Sequence, residues 1–360
     1  MITMEKGRIE AYLKQVFGDD TRLLAAGDIG NLDEQGMKGF GYGKPLLVRF
    51  SVGGEGREAV FSIMKGDKYG HQFLWDRASI LMFQYFTSDR LEKHVRPLGL
   101  GYLDESGKMI PLNDLSEFFI VNEKLEGHDY FLDLDRIARE GLTETDVEMA
   151  REFARWLARI HADKQADPDL YWRRIRNLIG SDECIIGLID EAYPEGYEEF
   201  PRERFEKLER SLVRWRWKLK GYSHRLSAVH GDFHPWNVLV DDGDFRVLDR
   251  SRGEWGEPGG DLCTMGINYL LWSLRKHGRL AGDFEILYRE YFQTYLDATG
   301  DSEVLDVMAP FIVFRCLVIA SPQWYPDHPV EVRRGLFRLM ENVLEEDSFD
   351  WADVNRYMEV

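Results

Sequence analysis

The segment His230-Gly231-Asp232-Phe233-His234-Pro235-Trp236-Asn237 sets an acid and an amide five positions apart. An apolar run, Val238-Leu239-Val240, follows it, then a polar turn at Asp241-Asp242-Gly243-Asp244. A second run, Phe245-Arg246-Val247-Leu248, delivers Asp249. Two short apolar runs around an Asp-Gly turn predict a β-hairpin, which brings Asp232, Asn237 and Asp249 to one end of it. Asp-x-x-x-x-Asn is a spacing used where a phosphoryl group passes to a hydroxyl. That reaction needs little covalent help, but it needs a placed hydroxyl and compensated charge. Asp232 can accept the hydroxyl proton. Asn237 and Asp249 offer the hard oxygen ligands with which Mg²⁺ is held against phosphates. An Asp at a strand end is more often a turn former, so the weight rests on the three residues together.

The pattern His-Gly-Asp-x-x-x-x-Asn, a hairpin, then Leu-Asp resembles the aminoglycoside phosphotransferase and choline kinase superfamily. These are small-molecule kinases with a protein-kinase-like fold. The likeness is closest from Val229 to Asp261, and the order of elements fits over most of the chain. It implies an α+β, two-lobed fold: a small antiparallel β N-lobe that binds nucleotide, residues 1–125, and a larger α-helical C-lobe, residues 126–360, with a nucleotide cleft between. It implies ATP and Mg²⁺ as cofactors, Asp232 as the catalytic base, and Asn237 and Asp249 as metal ligands. Asp261, in Gly259-Gly260-Asp261-Leu262, then braces the catalytic loop, helped by His230 and His161. Lys65 resembles the family's nucleotide lysine, which meets the α- and β-phosphates. Its partner on the next helix is then Asp76, an Asp where Glu is usual. Backbone groups near Glu123 and Leu125 are placed to hydrogen-bond adenine. Arg250 departs from the family pattern directly after the metal Asp, and Trp236 is bulky where Gly is frequent. Both bear on the acceptor pocket.

The glycine run Gly36-Met37-Lys38-Gly39-Phe40-Gly41-Tyr42-Gly43 is the candidate phosphate loop. Glycines at 39, 41 and 43 remove the side-chain barrier to backbone amides approaching the β- and γ-phosphates. It is not a Walker loop, since no Gly-Lys-Ser/Thr follows, and such a run is elsewhere often just a mobile turn.

Around these residues the elements follow in order. A helix is expected over Glu5–Phe17, and strands over Arg22–Asp28, Leu46–Val52 and Glu58–Lys65, with Lys65 closing the third. A helix over Gln72–Phe86 supplies Asp76 in its first turns. Further strands are expected at Leu98–Leu103 and Phe118–Gly127. Helical periodicity then takes over. Thr143–His161 shows apolar positions near a 3.6 period, with Thr143 and Asp146 as an N-cap pair. Helices follow over Asp167–Tyr193, Pro201–Leu219, Asp261–Lys276, Asp283–Thr299, Val304–Ile319 and Pro329–Glu345. The Pro- and aromatic-rich link Ala320–Pro326 either walls the acceptor site or packs the lobe base. Arg250 and Arg252 either neutralise phosphate or pair with nearby carboxylates, and pairing is favoured.

With 360 residues, the chain suits one large or two ordinary domains, and 44% hydrophobic and 31% charged residues are the composition of a soluble globular protein. A net charge of −18 argues against nucleic acid as a partner. It fits a small-molecule hydroxyl acceptor that is cationic, an amino sugar or choline-like amine, although solubility explains the acidity at least as well. Cys184, Cys263 and Cys316 are widely spaced and read as reduced, mostly buried thiols of a cytoplasmic protein. Met1–Lys14 has no signal-peptide core. The apolar runs Ile267–Leu274 and Phe311–Ala320 are far too short to span a membrane, and Arg315 interrupts the second. His230 and His234 lack the Cys or Glu that would complete a zinc set. Two rival functions stay open. An atypical protein kinase is disfavoured because Asp-Phe-Gly and Ala-Pro-Glu are missing. A non-catalytic nucleotide sensor is disfavoured because Asp232, Asn237 and Asp249 are all present. Oligomeric state leaves no sequence signal.

Overall fold

The computed structural model describes residues 5–28, 45–68, 70–112 and 114–359, in two compact units, Met1–Asn122 and Glu123–Val360. The chain is α+β, with small antiparallel sheets and many helices. In the first unit, helix α1 (Lys6–Phe17) buries Ile9, Tyr12 and Leu13, residues spaced to share one face. They meet Val48 and Phe50, which alternate inward from the middle strand of an antiparallel sheet. That sheet runs β1 (Thr21–Asp28), β2 (Leu46–Val52), β3 (Glu55–Phe61) in that order. Helix α2 (Leu74–Thr87) and a short hairpin, β4 (Gly101–Leu103) with β5 (Met109–Pro111), complete the unit.

Three expectations for this unit are corrected. β3 ends at Phe61, opposite Leu46, the first residue of β2. Lys65 therefore lies in exposed coil beyond the strand rather than closing it. Leu98–Leu103 contributes only its last three residues to a strand, and the partner β5 was not anticipated. Phe118–Gly127 forms no strand at all: Phe119, Ile120 and Val121 are 88%, 81% and 83% exposed. Their β-branched and aromatic character suits a strand, but propensity without a ladder partner or a buried face does not make one.

In the second unit a two-residue strand β6 (His128–Asp129) leads into α3 (Tyr130–Glu140) and α4 (Glu144–His161). The N-cap pair closes α4 reciprocally: the Thr143 amide donates to Asp146 Oδ2 at 2.8 Å, and the Asp146 amide to Thr143 Oγ1 at 3.4 Å. The helical stretch expected over 167–193 is two helices, α5 (Pro168–Gly180) and α6 (Ile185–Ala192). The turn between them folds so tightly that a Cβ on Gly187 would lie 1.9 Å from the Asp182 carbonyl. Helix α7 (Arg202–Leu219) and strand β7 (Ser227–Ala228) precede the hairpin of β8 (Val238–Asp241) and β9 (Asp244–Val247). Strand β10 (Trp255–Gly256) pairs with β7. Helix α8 (Pro258–His277) is buried on every side along nearly its whole length, with Asp261, Thr264, Asn268 and Ser273 among its buried residues, so it forms the centre of the unit. Helices α9 (Gly282–Thr299), α10 (Ala309–Ala320) and α11 (Val330–Val343) follow, with α9 and α10 packed against α8. Among the described residues no helix is long and apolar enough to cross a membrane.

Candidate active site

The hairpin is built by its turn. Asp241 pairs with Asp244, leaving Asp242 and Gly243 as a two-residue loop with φ of 47° and 82°. Positive φ at both positions matches the right-handed twist of the strands, and Asp-Gly adopts it readily. Strand β6 covers the other edge of β8, giving the order β6-β8-β9. The ladder extends one bond further, from the Leu248 amide to the Asn237 carbonyl at 2.9 Å. Asp249 therefore leaves the second strand one residue beyond the point where Asn237 enters the first. It does so at φ 54°, in the left-handed region, a conformation that costs a non-glycine residue about 1 kcal/mol.

Between Asp232 and Asn237 the loop closes on itself. The Asn237 amide N–H donates to the His234 carbonyl at 2.9 Å, and the Trp236 N–H to His234 Nδ1 at 3.2 Å. Asn237, buried, donates from Nδ2 to the Asp232 carbonyl at 3.1 Å. With its NH₂ spent on the backbone, the Asn237 side chain keeps Oδ1 as its free-standing acceptor atom.

The loop hangs on one buried carboxylate. Asp261, in the first turn of α8, accepts from the His230 amide at 2.7 Å, from the Gly231 amide at 2.7 Å and from His161 Nε2 at 3.2 Å. The other His161 nitrogen meets the Tyr295 hydroxyl at 2.9 Å. Burial alone would raise the Asp261 pKa, but the His161 bond, the two histidines and the backbone amide together hold it below the usual carboxylate range. His230 takes the Asp232 amide on Nδ1 at 3.3 Å and packs against Trp156 and Phe233. The roles expected of Asp261, His161 and His230 as supports of the loop therefore correspond to specific bonds.

Around the Asp232 carboxylate stand Arg252 Nε at 3.3 Å, His234 Nε2 at 3.8 Å and Arg315 Nη1 at 4.0 Å. Arg252 thus pairs with a carboxylate as expected, whereas Arg250 spends its donors on the Val229 and Glu254 carbonyls. Trp236 stacks on Phe131 and touches Trp272 and Tyr325. Tyr325 places the 320–326 link beside the 232–237 loop, and Arg333 secures that link by donating to the carbonyls of Ala320, Tyr325, Pro326 and His328. Tyr325 belongs to the link expected either to wall the acceptor site or to pack the lobe base, whereas Arg315 was not anticipated beside Asp232. The available signal was a lone Arg in the apolar run of α10.

The other expected site residues belong to other parts of the chain. Lys65 is in the first unit, and so is Asp76, whose carboxylate accepts from the Phe73 amide at 2.9 Å at the start of α2. Gly39, Gly41 and Gly43 fall outside the described residues. Glu123, exposed, and Leu125, partly buried, sit in coil at the beginning of the second unit. Among the described residues no three His, Cys, Asp or Glu side chains cluster as a metal site.

Burial pushes the His234 pKa down to about 4, with Arg315 adding to the push and Asp232 opposing it. His328 is also lowered to about 4, by burial and then by Arg275 and Arg333. Both folded values lie below the ordinary 6.5, so the unfolded chain binds more protons between roughly pH 4 and 6.5. The stability these neutral rings contribute is complete above that window and is lost as pH falls through it. The urea midpoint is expected to drop between pH 7 and pH 5, and His328→Gln to flatten the drop. An unaltered slope in that variant removes His328 from the account.

A sequence model described as the phosphotransferase enzyme family matches residues 89–301, more than half of the chain. No curated protein matches. Among solved structures, a choline kinase from Cryptosporidium parvum is similar at 10% identity over 98% of this chain and 93% of that one, with a TM-score of 0.35. The choline kinase LicA from Streptococcus pneumoniae is similar at 13% identity, covering 94% of this chain and 98% of that one, TM-score 0.33. A macrolide 2′-phosphotransferase type I is similar at 15% identity, covering 89% and 92%, TM-score 0.31.

Proposed function

Because the chain belongs to the phosphotransferase enzyme family, we propose that it is a small-molecule kinase, moving the γ-phosphate of ATP to a hydroxyl with Mg²⁺. The observation that carries this reading is the bond from Asn237 Nδ2 to the Asp232 carbonyl, which locks the two ends of Asp-x-x-x-x-Asn together. In the proposed reaction Asp232 orients the acceptor hydroxyl and takes its proton on a carboxylate oxygen. The loose transition state of phosphoryl transfer asks mainly for this orientation. Arg252 restrains the Asp232 side chain, and Asp261 holds the loop backbone.

Asn237 Oδ1 and the Asp249 carboxylate are the residues that would hold Mg²⁺. They fit it: both are hard oxygen donors, and Mg²⁺ is commonly bound by one or two carboxylates with phosphate and water completing the set. When bound, the ion compensates the charge of the phosphates. Lys65 with Asp76, and the loop holding Gly39, Gly41 and Gly43, are assigned to the triphosphate, and backbone near Glu123 and Leu125 to adenine. A cytoplasmic setting, where ATP is supplied, belongs to the same proposal. Aminoglycoside-, sugar- and amino-alcohol-like hydroxyls are the acceptor classes the family resemblance suggests.

Asp249→Gly tests the metal assignment in two ways. Glycine adopts φ 54° freely, which offsets its greater freedom in the unfolded chain, so the variant is expected to stay within about 1 kcal/mol of the parent's stability. Calorimetry should at the same time show Mg²⁺-dependent ATP binding disappear. A variant that binds Mg²⁺–ATP as the parent does rules Asp249 out as a ligand.

A further inference from the structure

Arg315 is 3% exposed in the middle of α10, a helix otherwise without charge. A guanidinium carries five N–H donors and is costly to bury unless they are used. Here Nη2 reaches Asn268 Oδ1 at 3.3 Å, Nη1 stands 4.0 Å from Asp232 Oδ1, beyond hydrogen-bonding distance, and Nε has no partner among the described residues. Arg252 approaches the same carboxylate from the other oxygen, with its guanidinium over the ring of Phe314, the neighbour of Arg315. Its Nη1 also donates to the Glu183 carbonyl, and the exposed Glu183 carboxylate comes no closer than 4.0 Å. His234 Nδ1 accepts from the Trp236 amide, so its proton sits on Nε2, 3.8 Å from Asp232. Two cations and a neutral N–H donor thus face one anion at the place where the acceptor hydroxyl belongs.

We propose that the acceptor carries an oxyanion, a carboxylate or a phosphate, held by the guanidiniums of Arg315 and Arg252 beside Asp232. The proposal rests on the kinase reading above and names its substrate class: a hydroxy acid or a hydroxylated phosphate ester. An ammonium group placed here would find Asp232 already paired and two guanidiniums repelling it. The aromatic side chains nearby do not reverse this, because Trp236 is stacked on Phe131 and packed against a tilted Trp272 and the edge of Tyr325. The net charge of −18 is a property of the whole surface and does not set the sign of this site. Planar guanidiniums match carboxylate and phosphate oxygens in pairs, which makes the two arginines determinants of specificity.

The test uses the 360-residue chain with Mg²⁺–ATP and a matched set of hydroxyl compounds: glucose, glucosamine, glucuronate and glucose 6-phosphate, with glycerol, glycerate and glycerol 3-phosphate beside them. Turnover that depends on Asp232 is expected to favour the anionic members by about 100-fold in kcat/KM over glucosamine, the carboxylate and phosphate arms showing which oxyanion is preferred. Arg315→Gln should raise KM for the anionic acceptor about tenfold or more and change kcat less, the loss of a charged hydrogen-bond donor to the ligand. If that variant does not fold, Arg252→Gln, a more accessible side chain, is read in the same way. Highest kcat/KM on glucosamine overturns the proposal. So does a loss confined to kcat, which would place the arginines on the transferring phosphoryl group. If no compound in the set consumes ATP, the kinase reading is what suffers. The oxyanion site is then read by calorimetry with glucuronate and glucosamine alone. Glucuronate heat that vanishes in Arg315→Gln supports it, and no glucuronate binding, or preferential glucosamine binding, overturns it.

Discussion

Asp232→Asn is expected to lower turnover about 10²–10⁴-fold, the range typical of losing a positioned proton acceptor, while ATP affinity moves little. Asn has nearly the volume of Asp, so the loop bonds made by backbone groups, the His230 Nδ1 contact and the Asn237 contact among them, can persist. The side chain, however, can no longer accept a proton or oppose Arg252 and Arg315. Steady-state kinetics and calorimetric ATP binding on the same preparation separate the two effects. A variant that phosphorylates its acceptor at the parent rate shows that Asp232 is not the base. A parallel loss of ATP affinity would show that the substitution disturbed more than the acceptor.

The second large effect is structural. Asp261→Ala leaves the amides of His230 and Gly231 and the His161 ring without their acceptor, all of them buried or nearly so. Breaking a buried charged network by removing one member costs about 3–5 kcal/mol. The guanidinium-chloride midpoint should fall accordingly, and activity should fall with it because the loop backbone loses its anchor. A loss below about 1 kcal/mol would mean that other contacts hold the loop and that Asp261 is incidental. The two variants differ in kind: Asp232→Asn is expected to keep the fold and lose the chemistry, whereas Asp261→Ala loses both.

Much of the second unit could be read from residue order. The Asp242-Gly243 turn, the two strands it joins and the Thr143–Asp146 cap are local features, decided by backbone conformations that a few neighbouring residues dictate. The partners of Asp261 were legible only through family resemblance, since His161 and His230 are 100 and 31 residues distant. The sheet of the first unit was legible in outline but misjudged at its ends. Where β3 stops depends on where β2 begins, and the apolar run before Glu123 had every strand preference except a partner.

Order along the chain therefore singled out the groups to which the proposed chemistry is assigned: an acid, an amide and a second acid spaced by one loop and one hairpin. What only tertiary packing decided is the charge around them. Arg252 comes from the segment after the hairpin and Arg315 from a helix 83 residues past Asp232, and both converge on that carboxylate. Pairing of Arg252 with some nearby carboxylate was expected from its place after the hairpin, but the approach of Arg315 was not, because electrostatic interactions act through space between whichever elements pack together. A buried arginine in an apolar helix was visible as an oddity in the sequence, and its meaning came only from the carboxylate it faces.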